Sequence, residues 1–376
     1  PKRQRETAPM NQVVLLVLAA SNPSQKEQSC GKTMICDPAI TSNATLREVA
    51  EQSAASTGHL LQMTGVHPAK VTAKGMGWAY EVDMAYSCDA LFKHSMKPPE
   101  RPVQWAALTL EQQQQYTLGG NVRVSNFFLH QQFNGGSTVK WEYYKMKRFD
   151  PRLDREWTTS NCVANKGYPN IHQFFCKAFE RHAEEVRGKH ALVIGSQRPW
   201  VETILLAYGV ASITTSEYSP IEQKDRRVTV LHPSVVAAKF LAGEAPFRGG
   251  FDFAVSYSSI EHSGLGRYGD PINPSGDLEV IQMVRCMLKP DALFFLGFPS
   301  NLRFDELVWN AHRVYGPYRL PLASSGFDVV DYVHFHDRLV SDSTLSTTGK
   351  GYKRLLYPGQ PMFTLRKAGN ASLISG

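Results

Sequence analysis

From about Asn170 onward the chain repeats one pattern, short apolar runs separated by segments with helical spacing. The first five runs are His190–Gly195 (HALVIG), Ser212–Tyr218 (SITTSEY), Arg227–Leu231 (RVTVL), Phe251–Tyr257 (FDFAVSY) and Ala292–Gly297 (ALFFLG); Phe327–Phe335 and Pro361–Arg366 follow. A strand that is apolar on both sides has no face to show to water, so helices must cover the sheet above and below. Trp200–Tyr208, Val235–Ala242 and Asp277–Leu288 are spaced to do so, and Ile171–Arg187 precedes the first strand and closes at Gly188. The pattern therefore predicts an α/β fold with a parallel sheet. The last two runs lack a helical connection, which points to an antiparallel pair at the sheet's end.

Residues 1–165 read less regularly. Leu46–Ala55 and Leu108–Tyr116 are candidate helices, and Asn121–Phe133 reads as a strand leading into a helix. With 376 residues, 42% of them hydrophobic, the chain can bury a sizeable core. Its net charge of +7 sits at the two ends: residues 1–6 contribute +2 and residues 343–376 contribute +5 with no acid. The body is thus near neutral and carries no basic groove interleaved with aromatics, so no nucleic-acid partner is expected.

Six cysteines (Cys30, Cys36, Cys88, Cys162, Cys176 and Cys286) are too scattered for a zinc site. The early ones are disulfide candidates if the chain is secretory, and Cys286, on an amphipathic helix, reads as a small buried hydrophobe. Val13–Ala20 after a basic stretch follows signal-peptide grammar, reads equally well as a buried strand, and is too short to span a bilayer. Membrane contact is expected only through a short or missing N-terminal anchor. Asn43 and Asn370 head Asn-x-Ser/Thr triplets, which are glycosylation acceptors only in the secretory pathway.

In a doubly wound sheet, ligands bind outside the carboxyl ends of the strands. The first such end reads VIGSQRPWVE, with a single glycine, Gly195, in place of G-x-G-x-x-G. Close backbone approach to a pyrophosphate is then disfavoured, while a nucleoside without phosphates tolerates Ser196, Gln197 and Pro199. The second end, TTSEY, places Glu217 where an acid can accept both ribose hydroxyls.

These segments, with SYSSIEHSGLGRYGDPINPSGDLEVIQMVRCMLKPDALFFLGFPSN, resemble the class I S-adenosylmethionine-dependent methyltransferases. More narrowly they look like a methyltransferase-like family found in nematodes and in bacterial surface-polysaccharide clusters. The resemblance covers roughly residues 170–367. It implies a Rossmann-like seven-stranded sheet with an antiparallel last strand, in a domain over 166–376 whose acceptor side is covered by the 1–165 extension. It also implies an S-adenosylmethionine site of Gly195, Ser196, Gln197, Glu217 and Tyr218, closed by Ser258 and Ser259. Where many relatives carry an acid after the third strand, VTVLHPSV offers only His232.

The loop after the fourth strand then acquires a purpose. Methyl transfer to a hydroxyl needs alignment and removal of a proton. His262 is the candidate base, with Glu261 or Asp270 orienting the imidazole or holding a second hydroxyl. Arg267, Tyr268 and Asn273 can meet the polar face of a sugar. The other reading is that Glu261-His262 caps a short helix and Asp270 shapes a turn. Glu261, His262 and Asp270 also carry donors for a divalent metal, though no spacing demands one. After the fifth strand, Trp309, His312, Tyr315, Tyr318 and Arg319 form either an acceptor wall or a packed helix and its turn. The expected activity is O-methylation of a sugar hydroxyl on a glycan or glycoprotein, fucose or galactose among them, in the Golgi lumen. The alternatives are a cytoplasmic location, a small-molecule or protein acceptor, or a non-catalytic binding protein.

Overall fold

The computed structural model describes residues 67–73, 80–85, 87–96, 101–129, 138–143, 171–301, 304–316, 318–333 and 360–368. The runs Val13–Ala20 and Leu46–Ala55, both glycosylation triplets, Cys30, Cys36 and Cys162 lie outside them. In chain order the strands are β1 (His67–Ala73), β2 (Tyr80–Ala85), β3 (Arg123–Asn126), β4 (Val139–Lys140), β5 (His190–Ile194), β6 (Ser212–Ser216) and β7 (Ile221–Glu222). They continue with β8 (Val228–Leu231), β9 (Phe251–Tyr257), β10 (Leu288–Gly297), β11 (Glu306–Trp309), β12 (His312–Val314), β13 (Phe327–Val333) and β14 (Met362–Lys367).

Seven of these make one sheet, in the order β13-β14-β10-β9-β5-β6-β8. Neighbours from β10 to β8 run parallel, and β14 lies antiparallel between β10 and β13. This is the expected Rossmann-like sheet with its reversed last strand. From β5 the chain winds outward through β6 to β8, then returns to the other side of β5 as β9. The connections leaving β5 and β9 diverge there and open a crevice at their carboxyl ends.

The strands are buried on both faces because alternate side chains feed two separate clusters. Leu192, Ala254, Phe294 and Leu296 pack toward the helices Pro233–Leu241 and Gly276–Met287. Ala191, Val193, Phe253, Val255 and Phe295 pack the other way, against Phe175 and Phe179 of the helix Ile171–Arg181 and Val201 and Leu205 of Trp200–Ala207. Each of the Val, Leu and Phe side chains among them contributes about 1.5–3 kcal/mol on burial.

The described part of the N-terminal region joins the first of these clusters. Leu91 and Phe92 of the helix Cys88–His94 are buried there, and Phe92 stacks on Phe240 at 3.8 Å. Tyr116 ends the helix Leu110–Tyr116, whose Thr109–Gln112 capping box satisfies its first amides. Its hydroxyl donates to the Gly264 carbonyl at 2.5 Å. β3 then pairs parallel with β11, which pairs antiparallel with β12.

Three expectations change. The segment after β10 forms the β11–β12 hairpin and then only a short helix, Arg319–Ala323, with Trp309 and Tyr315 fully buried in the hairpin region. Asn121–Phe133 supplies only the short strand β3; residues 127–129 are not helical, and 130–133 lie outside the described residues. Cys286 is bonded to Cys88, with Cα atoms 6.0 Å apart, and is not a free hydrophobe. Cys286 and Cys88 are both half-buried at the edge of the first cluster, where the helices Gly276–Met287 and Cys88–His94 pack together and bring the sulfurs within reach. Cys176 is disulfide-bonded as well.

The Cys88–Cys286 bridge closes a span of 198 residues, which removes much freedom from the unfolded chain. Cys286→Ala is expected to lower unfolding free energy by about 4–5 kcal/mol in non-reducing denaturant titration. A loss below about 1 kcal/mol would show that the tether is dispensable.

Candidate active site

A cavity of about 540 Å³ opens at the carboxyl ends of β5, β6 and β9. All ten residues singled out for cofactor or catalysis line it: Gly195, Ser196, Gln197, Glu217, Tyr218, Ser258, Ser259, Glu261, His262 and Asp270. The sheet brings them together from three strand ends spread over 76 positions of sequence.

The floor is the turn after β5. Gly195 adopts φ +71°, and a Cβ there would stand 1.8 Å from Ser259 Oγ. Only glycine lets the strand turn left-handed while Ser259 lies against it. The next residue is gripped by two acids. Ser196 N–H donates to Glu217 Oε2 at 2.8 Å, and its Oγ lies 2.9 Å from Glu202 Oε2. Glu217 also accepts the Ser219 amide on Oε1, so each oxygen has one partner and a remaining lone pair. Trp141 Nε1 donates to the Gln197 carbonyl at 3.2 Å and steadies the turn from outside. Tyr218 borders the cavity and meets the His232 ring edge-on at 5.4 Å. His232 itself caps the helix Pro233–Leu241 by accepting the Ser234 amide on Nδ1.

The opposite wall begins at Ser258, a non-glycine residue at φ +53°. Such backbone costs of the order of 1–3 kcal/mol and persists where surroundings enforce it. Here Ser258 N–H donates to the Gly297 carbonyl and Ser258 Oγ accepts from Gln360 Nε2. The single 3-10 turn Ile260–His262 follows. Burial pushes the Glu261 carboxyl up to about 7, although Ser258 and Arg267 act against this. Its Oε1 takes a hydrogen bond from Gln360 at 3.3 Å, and its buried Oε2 has no hydrogen-bond partner.

His262 Nδ1 lies 2.5 Å from the Ala311 carbonyl. A carbonyl can only accept, so the proton sits on Nδ1 and Nε2 keeps its lone pair. Burial first, then the Arg267 guanidinium, lowers the imidazole pKa to about 3. Arg267 donates to the same carbonyl at 2.9 Å and lies over Tyr268 at 4.8 Å. Glu261 Oε1 is 3.7 Å from Nε2, too far for a hydrogen bond and near enough to compensate a charge. The imidazole is therefore oriented by Ala311 rather than by an acid.

Asp270 uses both oxygens within its own loop: Oδ2 accepts the Leu265 and Gly266 amides and Oδ1 the Tyr268 amide. It shapes the turn that carries Arg267 and Tyr268. Asn273 does not line the cavity; its Oδ1 accepts the Ser275 amide at the start of the helix Gly276–Met287. Behind the loop, Arg313 holds the Ser263 carbonyl at 2.6 Å, and Arg319 holds that of Pro274 at 2.8 Å. Asp277 offsets one of these two buried charges, with Arg319 in bidentate contact at 2.5 and 2.7 Å and Arg313 at 3.6 Å. Of the five residues proposed as an acceptor wall, His312 alone lines the cavity; Trp309, Tyr315 and Arg319 are core. Among the described residues, no three of His, Cys, Asp and Glu gather closely enough to hold a metal ion. No described helix is long and apolar enough to cross a membrane.

Gln360 and Trp141 went unrecognised in the sequence, since nothing in either neighbourhood marks a contact to a site far along the chain. Glu202 was hidden inside an otherwise ordinary helical stretch.

Residues 188–368 match a family model described as a Caenorhabditis protein of unknown function, DUF268. No curated protein matches the chain. Among solved structures, the chain is similar to the Burkholderia thailandensis 1,6-didemethyltoxoflavin-N1-methyltransferase with bound S-adenosylhomocysteine. That likeness has 17% identity over 50% of this chain and 74% of that one, at a TM-score of 0.35. It is also similar to an S-adenosylmethionine-dependent methyltransferase from Mesorhizobium loti, with 13% identity over 50% of this chain and 96% of that one, at a TM-score of 0.31.

Proposed function

We propose that this protein is an S-adenosylmethionine-dependent O-methyltransferase whose acceptor is a sugar hydroxyl of a glycan, fucose or galactose on glycoproteins among them. The observation that carries the reading is the paired arrangement around one crevice. A nucleoside-sized turn with a ribose-competent acid lies on one side, and an imidazole with a free lone pair lies on the other. The residues fit the cofactor: Glu217 keeps one lone pair on each oxygen for the ribose hydroxyls, and no glycine-rich cradle competes for phosphate. Bound there, S-adenosylmethionine would supply a methyl group on a positively charged sulfur.

The chain's own residues account for the remaining chemistry. His262 Nε2 keeps its lone pair and would take the acceptor's hydroxyl proton; burial and Arg267 lower the imidazole pKa to about 3 and make it a weak base, which the neighbouring Glu261 carboxyl counters. A proton taken up there would place a positive charge on the imidazole, with Glu261 3.7 Å from Nε2 to offset it and Arg267 opposing it. Arg267, Tyr268 and His312 line the same wall and supply donors and an aromatic face suited to a sugar ring. The Cys88–Cys286 bridge supports a lumenal, oxidising compartment such as the Golgi.

Calorimetry with S-adenosylmethionine and S-adenosylhomocysteine tests the cofactor half, and absence of binding to either would favour a non-catalytic protein. Mass spectrometry of defined glycans incubated with labelled methyl donor tests the acceptor half; methylation of a small metabolite or a protein in their place would redirect it. His262→Ala is expected to reduce transfer by about 10²–10⁴-fold while leaving cofactor affinity within a few-fold. Normal turnover by that variant would remove His262 from the role of base.

A further inference from the structure

The turn after β5 contains a hydrogen-bond count that closes only with one more proton. The Ser196 hydroxyl has a single hydrogen. Yet its Oγ stands 2.8 Å from the Arg198 carbonyl and 2.9 Å from Glu202 Oε2. The carbonyl can only accept. An ionised Glu202 could also only accept, and one of the two buried acceptors would then face Ser196 without a hydrogen between them.

Glu202 is fully buried, on the helix Trp200–Ala207 that follows the turn. Its Oε1 accepts the Thr215 hydroxyl at 2.8 Å, and its own backbone amide also faces the carboxyl. No hydrogen bond reaches it from a cation. The titratable groups facing it are Glu217, from the end of β6, and Tyr143, from the segment after β4, with Asp225 and Arg227 beyond Tyr143. Glu217 is the acid on the cofactor side, so two carboxylates bracket one serine.

We propose that Glu202 is a positioning residue of the cofactor site, holding a proton on Oε2 and donating it to Ser196 Oγ. Ser196 then donates to the Arg198 carbonyl, and the chain Glu202–Ser196–Arg198 fixes the turn on which the nucleoside lies. The division of labour follows from the same geometry. Glu217 accepts the Ser196 and Ser219 amides and keeps lone pairs for ribose hydroxyls, while a protonated Glu202 supplies the donor that Ser196 otherwise lacks. Burial acts in the same direction, raising the Glu202 carboxyl to about 7. The inference rests on the S-adenosylmethionine reading above for its effect on affinity, but not for the proton itself.

The test compares wild type with Glu202→Gln and Glu202→Ala. Glutamine reproduces the protonated acid: its amide nitrogen donates to Ser196 and its oxygen accepts from Thr215. S-adenosylhomocysteine affinity of the wild type, measured by calorimetry from pH 6 to 9, is expected to weaken above pH 7 by up to tenfold per unit. Glu202→Gln should lose that part of the pH dependence and keep only what Glu261, also raised to about 7 in the same cavity, contributes to both proteins, and Glu202→Ala should bind at least tenfold more weakly throughout. A wild-type affinity that is flat with pH, together with a tenfold loss in Glu202→Gln, would overturn the proposal.

A second arm reads the proton without ligand. A carboxyl raised from 4.5 to about 7 on folding favours the native state fully below 4.5, and that contribution is lost as pH rises to about 7. Thermal unfolding midpoints of wild type should therefore fall relative to Glu202→Gln between pH 4.5 and 7, then run parallel. Glu261 and Asp305, raised in the same direction, contribute equally to both proteins and cancel in the difference. Parallel curves across that whole window would refute a protonated Glu202. Absence of ligand binding at any pH, with the expected divergence of midpoints, would instead refute the cofactor reading alone.

Discussion

Gly195→Ala is expected to abolish S-adenosylhomocysteine binding and to lower stability by about 2–5 kcal/mol. Two effects add. At φ +71° an L side chain costs about 1–2 kcal/mol against glycine. The new Cβ would also fall 1.8 Å from Ser259 Oγ and 2.7 Å from Ser259 Cβ, so either the turn or the wall opposite must move. Overpacking of this kind typically costs about 1–3 kcal/mol more. Movement of either element opens the cavity at the point where the nucleoside would lie. Denaturant titration and calorimetry read the two consequences separately. The double variant Gly195→Ala/Ser259→Gly removes the collision and leaves the dihedral penalty, so it should recover about half of the lost stability. Ligand binding by the single variant at wild-type strength would show that the turn does not border the cofactor.

Asp277→Ala is the second substitution with a large expected effect. Its carboxylate is the countercharge for Arg313 and Arg319, both buried, and it accepts the Tyr315 hydroxyl at 2.7 Å. Removing one partner of a buried pair leaves an uncompensated charge and costs about 3–5 kcal/mol. The damage should reach the site, because Arg313 secures the Ser263 carbonyl directly behind His262. Burial alone would raise the Asp277 pKa, but Arg313 and Arg319 overcome it and hold the carboxyl below its ordinary value. The stabilisation is therefore complete above about pH 4 and fades as pH falls through the lower native value. Urea titrations of wild type and variant at pH 7 and below pH 4 should show the gap closing only in the more acidic range. An Asp277→Ala protein within about 1 kcal/mol of wild type at pH 7 would mean that the arginine pair finds another countercharge.

Much of this architecture could be read from the chain because it rests on local periodicity. Apolar runs such as HALVIG and FDFAVSY can only be strands sealed on both sides, and a doubly wound sheet fixes where their carboxyl ends meet. That is why Gly195, Glu217 and His262, each marked by its place after a strand, come together as expected. What escaped depends on contacts between distant segments. ELVW and HRV are too short to declare themselves as β11 and β12, and β11 finds its parallel partner, β3, 183 positions earlier, counting from Arg123 to Glu306. The partner of Cys286 lies 198 residues away, and spacing alone cannot choose it. Glu202 looked like any acid in the first turn of a helix until the hydroxyls of Ser196 and Thr215 stood beside it. The spatial role of Gln360, brought to Ser258 and Glu261 by the start of β14, follows from the reversal of the last strand and from nothing in its own surroundings.

The small sheet β3-β11-β12 bears on how the molecule can be divided. Ala311, whose carbonyl aims the imidazole, sits in the β11–β12 turn, and β11 is flanked by a strand from residues 123–126. Tyr116 props the Gly264 carbonyl of the same loop, and Val103 receives the indole N–H of Trp309 at 2.9 Å. A fragment excised at residues 188 and 368, the limits of the family match, would keep the entire seven-stranded layer and discard all three supports. That stretch is thus a hallmark rather than an autonomous module: the turn after β5 would lose Trp141 and the sheet its cover of Phe175 and Phe179, while the loop around His262 would lose the brace supplied from outside it.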